Sequence, residues 1–172
     1  MATQQTGQIS SKDELSPEQK QSFHSVYRTQ ILPAGTVLWR FVSKQSDRRF
    51  GSYWMDSQTM RTIMETLHAN NTFSERDKKE NVKNSLAVLD RFSLINWRLK
   101  IKLRKAVTAY IGITGTQKNY EITNNDTPFT GPKNIERVTE TRLGRLEQIV
   151  IPRFRGLSNQ NEWADEELFV HI

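Results

Sequence analysis

Cysteine is absent from this chain of 172 residues, which excludes a disulfide framework and thiolate chemistry. Histidine is scarce: His24, His68 and His171 are scattered and offer no ligand spacing for a metal. No run of about 18 apolar residues occurs, and the start of the chain is polar, so neither a membrane span nor an export signal is expected. Nucleophile motifs, a phosphate-cradling glycine-rich loop and zinc patterns are missing as well. Triad hydrolysis, kinase chemistry and metal hydrolysis therefore have no support. What the chain has is positive charge. A net charge of +6 and a pI near 9.7 favour an anionic partner: nucleic acid, a dinucleotide, an acidic protein or a membrane surface.

The length suits one domain that buries roughly two thirds of its unfolded surface. Residues 1–15, rich in Gln, Ser, Thr and Gly and without an aromatic residue, are expected to form a disordered lead or linker, with a single domain over 16–172. Ser16-Pro17-Glu18-Gln19 carries the signature of a capping box. Phe23, Val26, Tyr27 and Ile31 then fall at helical spacing, which predicts one helix up to the break at Pro33-Ala34-Gly35. Thr36 to Val42 alternates as a strand with Val37, Trp39 and Phe41 on one side, and Leu38 and Arg40 on the other. A polar turn with Asp47, Arg48 and Arg49 leads to a second strand, Phe50 to Met55. Helices are predicted from Asp56 to about Asn70 and from Ser74 to about Phe92.

From Arg98 the period changes to two, with Leu99, Ile101 and Leu103 between Arg98, Lys100, Lys102 and Arg104. Further strands are predicted at Val107 to Ile113, around Glu147 to Ile151, and at Leu168 to Ile172. Asn119 to Asn134, full of Asn, Thr, Pro and Gly, reads as a long surface loop. Helices early and strands late give an α+β domain, with N-terminal helices packed on a mainly antiparallel sheet.

Three constellations bear on chemistry. The stripe Arg98, Lys100, Lys102, Arg104 with Lys105 suits either phosphates or water, and no aromatic residue interleaves with it on its own strand face. Asp165-Glu166-Glu167 reads as a solvated acidic turn, and His171 as a packed or edge histidine. Arg40, set between Trp39 and Phe41, needs a reason: an unpaired buried charge costs several kcal/mol, so it pairs, points to water or receives an anion. With Arg40 as a phosphate clamp, Tyr53 and Trp54 as stacking surfaces, and Glu147 and Gln148 as polar groups in an apolar strand, a dinucleotide can be held. Each of these residues taken singly also has an ordinary structural role.

The succession Gly35-Thr36-Val37-Leu38-Trp39-Arg40-Phe41, Phe50-Gly51-Ser52-Tyr53-Trp54, Ser85-Leu86-Ala87-Val88-Leu89-Asp90-Arg91-Phe92, Ile113-Thr114-Gly115-Thr116-Gln117 and Leu143-Gly144-Arg145-Leu146-Glu147-Gln148-Ile149-Val150-Ile151 resembles C-terminal toxin domains of bacterial polymorphic and secreted toxins. These are the tuberculosis-necrotizing-toxin-like NAD glycohydrolases and, more distantly, the ADP-ribosyltransferase fold. The resemblance runs over residues 33–152. It implies a split, twisted sheet gripping NAD as substrate, without a metal. Arg40 would hold the phosphates, Tyr53 or Trp54 after Ser52 would pack near the nicotinamide, and Gln148 would support glycosidic cleavage. Where that family carries several glycines before its glutamine, this chain has Gly144 followed by Arg145, Leu146 and Glu147. That departure admits a second assignment, with Glu147 as the catalytic glutamate of a transferase.

The expected activity is therefore cleavage of the nicotinamide–ribose bond of NAD, with ADP-ribosyl transfer to a host macromolecule as the alternative. A basic nucleic-acid-binding module or a metal-free nuclease toxin is the reading from another class. The resemblance also implies delivery by a larger machine or parent chain into a target-cell cytosol, and an acidic immunity protein as partner, with no membrane role. Strict alternation puts Glu147 and Gln148 on opposite faces of their strand, and the sequence leaves open which of them faces the substrate.

Overall fold

The capping box forms as expected, yet the helix it starts is one turn and a half long. The computed structural model describes residues 15–43, 51–87, 95–127, 131–152, 154 and 160–172. In it Ser16 Oγ accepts from Gln19 N, and helix α1 covers only Pro17–Gln21. Strand β1 (Phe23–Leu32) then pairs antiparallel with β5 (Val107–Thr114). The expected single helix to Ile31 is thus corrected. Phe23, Tyr27 and Ile31 are separated by even numbers, so they suit a two-residue period as well as a helical one. Val26 alone distinguishes the two, and it is exposed rather than on an apolar face. Phe, Val, Tyr, Thr and Ile in this segment favour the pleated sheet once β5 supplies a ladder.

The remaining elements follow in chain order: β2 (Val37–Val42), β3 (Tyr53–Trp54), α2 (Ser57–Leu67), α3 (Glu75–Ser85), β4 (Trp97–Leu103), β6 (Gln117–Thr127), β7 (Gly131–Arg142), β8 (Glu147–Val150), α4 (Gln160–Trp163) and β9 (Ala164–His171). The class is α+β with antiparallel pairing between the strands. One sheet runs β1-β5-β8-β3 and a second β2-β4-β9. Among the described residues they meet at one bridge, where Trp39 and Met55 exchange backbone hydrogen bonds of 2.9 and 2.8 Å.

The main core fills the space between the two sheets, with Leu38, Leu99, Ile101 and Leu103 from one and Trp54, Ile111 and Ile149 from the other, closed by Phe154. On the reverse of β2, Phe41 and Met55 pack under Met60, Ile63 and Leu67 of α2 and Val82 of α3. A third cluster joins Phe23, Tyr110 and Val150 to Leu15. Leu15, placed at the end of the expected lead, is therefore buried; the rest of that lead and the Asp47–Arg49 turn lie outside the described residues, while the second long helix, expected to run to about Phe92, ends at Ser85, where Leu86 caps it and Ala87 turns to a φ of +53°.

Of the expected loop Asn119 to Asn134, residues 119–127 and 131–134 pair as the strands β6 and β7, and 128–130 lie outside the described residues. The Asn and Thr residues of this hairpin join its ladder through backbone bonds, so the strands leave no alternating apolar signal in the sequence. Asp165-Glu166-Glu167 likewise belongs to β9 instead of a turn, its backbone paired with β4.

The approach to β8 is fixed by the end of α3. Leu143 N donates to Asn84 Oδ1 at 3.0 Å, Gly144 N to Asn84 O at 2.8 Å and Arg145 N to Ser85 O at 2.7 Å, so carbonyls left over at a helix terminus hold the incoming strand. Gly144 has a φ of +73°, and a Cβ there would strike the Thr114 carbonyl. No helix among the described residues is long and apolar enough to cross a membrane.

Candidate functional site

Residues far apart in the sequence come to lie on three neighbouring strands. β3 pairs with β8 through Tyr53 with Val150 and Trp54 with Ile149, and the Trp39–Met55 bridge sets β2 on the other side of β3. Arg40 thereby lies beside Trp54, its guanidinium carbon 5.6 Å from the ring centroid, a cation–π distance. The same guanidinium rests against Gly51, and any Cβ at that position would collide with it. The glycine ahead of Ser52 therefore makes the seat for Arg40. Trp54 itself is 2% exposed, with its indole N–H on Gly51 O at 2.7 Å, so it supports Arg40 from within the core. Ser52 Oγ donates to Pro152 O at 3.2 Å.

Alternation along β8 separates the two polar residues. Gln148 shares its side with Val150 and Tyr53, away from the inter-sheet core, and is buried. Its Nε2 donates to Ser22 O at 3.0 Å and to Ser22 Oγ at 2.9 Å, while Ser22 Oγ donates to Gln19 O at 2.5 Å. Gln148 thus ties α1 to the sheet. Tyr53 is 41% exposed on this side. Partial burial raises its pKa, the Glu18 carboxylate adds to the rise, and a hydrogen bond with Ser22 opposes it. The phenol is accordingly protonated at neutral pH. Losing a buried, doubly bonded amide costs about 1–3 kcal/mol, so Gln148→Ala is expected to lower the thermal midpoint measurably before any question of activity. A melt superimposable on that of the unmodified domain would contradict the tying role.

Glu147 faces the opposite way, on the side of Ile149, Trp54 and Arg40. Its carboxylate lies 3.5 Å from Arg28 Nη1, with side-chain exposures of 33% and 58%. Ile113, opposite Glu147 on β5, is partly exposed. Arg40, Glu147 and Arg28 therefore share one side of the joined sheets, and Tyr53 and Gln148 share the other. Arg28 is the residue that sequence reasoning missed, because its segment reads as a helix. The even spacing of Phe23, Tyr27 and Ile31 was the available signal.

The basic stripe and the acidic cluster turn out to be partners. Lys100 meets Glu167 at 3.1 Å, Arg104 meets Asp165 at 3.8 Å and Lys105 meets Glu162 at 4.0 Å. The aromatic residue lacking on that face of β4 comes from β2: Arg98 and Lys100 lie 5.4 and 5.5 Å from the Trp39 ring centroid. His171 packs edge-on to Trp97 at 5.0 Å. No group of three or more potential metal ligands occurs among the described residues.

No family model matches this sequence, and no curated protein does. Two solved structures are similar to it in shape. "Rhs1-CT in complex with cognate immunity protein RhsI1" is 14% identical with a TM-score of 0.48, covering 87% of this chain and 84% of that one. "Structure of Tne2 in complex with Tni2" is 14% identical with a TM-score of 0.47, covering 86% of this chain and 92% of that one. Likeness of this degree assigns no activity.

Proposed function

We propose that this domain consumes NAD as a bacterial toxin or effector domain, cleaving the nicotinamide–ribose bond with water as the acceptor. The observation that supports this reading is the placement of Arg40 on β2, Trp54 on β3 and Glu147 on β8, three neighbouring strands, with all three residues on one side of them. In the reaction the bond from C1′ of the ribose to the pyridinium nitrogen breaks, and its electron pair leaves with neutral nicotinamide. C1′ becomes oxocarbenium-like, a water oxygen adds to it, and one water proton is released. The product is ADP-ribose. Such a transition state needs orientation and negative charge near C1′ more than a strong nucleophile.

The side of the sheet that carries Arg40 also carries Glu147, a carboxylate. Arg40, braced by Trp54 and Gly51, serves as the phosphate clamp, and Glu147 stabilises the positive charge developing on the ribose. Gln148 supports the site through Ser22 and α1. ADP-ribosyl transfer uses the same cleavage with a macromolecular nucleophile in place of water. The net charge of +6 suits an acidic immunity protein as partner, and delivery by a parent chain or machine into a target-cell cytosol completes the proposal.

Incubation of the purified domain with NAD, followed by chromatography, tests it. Free nicotinamide and free ADP-ribose in equal amounts are expected, and Arg40→Ala is expected to raise KM by at least about tenfold through lost charge-assisted bonds to phosphate. ADP-ribose found attached to protein or nucleic acid would move the assignment to transfer. Intact NAD would overturn both.

A further inference from the structure

The backbone at position 51 does not call for glycine. Gly35 and Gly144 have φ of +90° and +73°, and a Cβ at Gly112, Gly115 or Gly144 would strike main-chain atoms of a neighbouring strand. Gly51 has no positive φ, and the three atoms nearest a Cβ built there all belong to the Arg40 guanidinium: Nη1 in collision, Cζ at 2.6 Å and Nη2 at 3.0 Å. Those atoms are the far end of a flexible side chain. A methyl group at 51 therefore displaces the guanidinium and leaves the main chain in place.

The rest of the seat is rigid. Trp54 is 2% exposed, its indole N–H holds Gly51 O at 2.7 Å, and its ring lies 5.6 Å from Arg40 Cζ. A cation–π contact and a packing contact use no N–H donor, so neither competes with phosphate oxygens for the guanidinium. A side chain ordered before its ligand arrives loses less freedom on binding. The planar fork of donors also matches the oxygens of two linked phosphoryl groups, where lysine offers a point charge.

We infer that Gly51 is a positioning and specificity-determining residue of this site: its missing Cβ reserves the space in which the Arg40 guanidinium lies, and so sets the site for a diphosphate. The inference rests on the proposed role of Arg40 and adds a substrate class to it. A dinucleotide engages the seated fork fully, whereas nicotinamide mononucleotide, with the same scissile bond and one phosphate, engages it in part.

The test compares Gly51→Ala, Arg40→Lys and the double variant with the unmodified domain on NAD and on nicotinamide mononucleotide, with thermal melts and calorimetric titration of inorganic pyrophosphate in parallel. Gly51→Ala is expected to melt with the unmodified domain and to raise KM for NAD by about tenfold with kcat nearly kept, and to change KM for the mononucleotide less. Arg40→Lys should be rescued in part by nothing but the glycine: once alanine stands at 51, exchanging arginine for lysine should cost nothing further, since the slimmer ammonium does not need the space. An unchanged KM for NAD in Gly51→Ala, losses that add in the double variant, or a melt lowered by Gly51→Ala would overturn the assignment while leaving NAD cleavage in place. If the unmodified domain cleaves no NAD, the catalytic reading fails and pyrophosphate alone decides: binding that Gly51→Ala weakens about tenfold supports the seat, and binding that it leaves intact, or no binding at all, overturns it.

Discussion

Glu147→Gln is expected to reduce nicotinamide release from NAD by at least about 100-fold, the scale seen when one preorganised charge-stabilising group is removed from an active site. The fold should barely register the change. Glu147 is partly exposed and its one described ion pair, with Arg28, is long, so no more than about 1 kcal/mol of stability depends on it. For a chain of this size that is a shift of about 4 °C or less in the thermal midpoint. Gln148→Ala should behave in the reverse sense, losing stability first, because both donors of its amide are committed to Ser22. Rates and melts measured on the two variants side by side distinguish a residue of the reaction from a residue of the scaffold. Equal loss of activity without loss of stability in both would place Gln148 in the chemistry and contradict the division of faces.

Arg142→Ala is expected to have the largest effect on folding. Arg142 is buried at the end of β7, with Nη1 2.7 Å from Glu80 Oε2 on α3, and with Nε and Nη2 each 2.9 Å from Glu140 Oε2. Lys83, also buried, meets the other Glu80 oxygen at 3.5 Å. Burial works against the charged guanidinium, but Glu80 and Glu140 outweigh it and hold the pKa above its ordinary value. Removing Arg142 takes a buried counter-charge from Glu140 and from the half-exposed Glu80, which keeps Lys83, a cost at the lower end of that for breaking a buried pair, about 3 kcal/mol. At about 2–4 °C per kcal/mol, the thermal midpoint should drop by more than about 6 °C.

The consequence should reach the site. Arg142 is followed directly by the Leu143–Arg145 segment that the end of α3 holds, and that segment leads into Glu147. Hydrogen exchange is therefore expected to accelerate in β7 and at the start of β8 together. An unaltered melt would show that the network contributes specificity of packing without net stability.

The legible parts of the fold were those with a period and a boundary. Ser74 caps α3 as its sequence position predicts, Asp56 caps α2 where Asp56 or Ser57 was expected to, and the alternation from Arg98 marks β4 without ambiguity. β1 was illegible because residues four apart satisfy a strand and a helix alike, and the β6–β7 hairpin because its Asn, Thr and Gly residues read as a loop while backbone bonds form its ladder. The pairing of Lys100 with Glu167 and Arg104 with Asp165 shows a third limit: charges that look like separate features in sequence cancel once β4 and β9 lie side by side. At the site, the polar character of Arg40, Glu147 and Gln148 was readable, as was the rule that places the last two on opposite faces. Which face each would occupy depended on Ser22 and Arg28. Both belong to the N-terminal segment whose structure the sequence misrepresents, so the partners that decide the question were out of view.

Release of nicotinamide from NAD by the intact domain, run in parallel with Glu147→Gln, tests the central claim most directly. Release by the unmodified domain is expected, with near-complete loss in the variant and both proteins equally folded. No release by the unmodified domain, or undiminished release by Glu147→Gln, would contradict it.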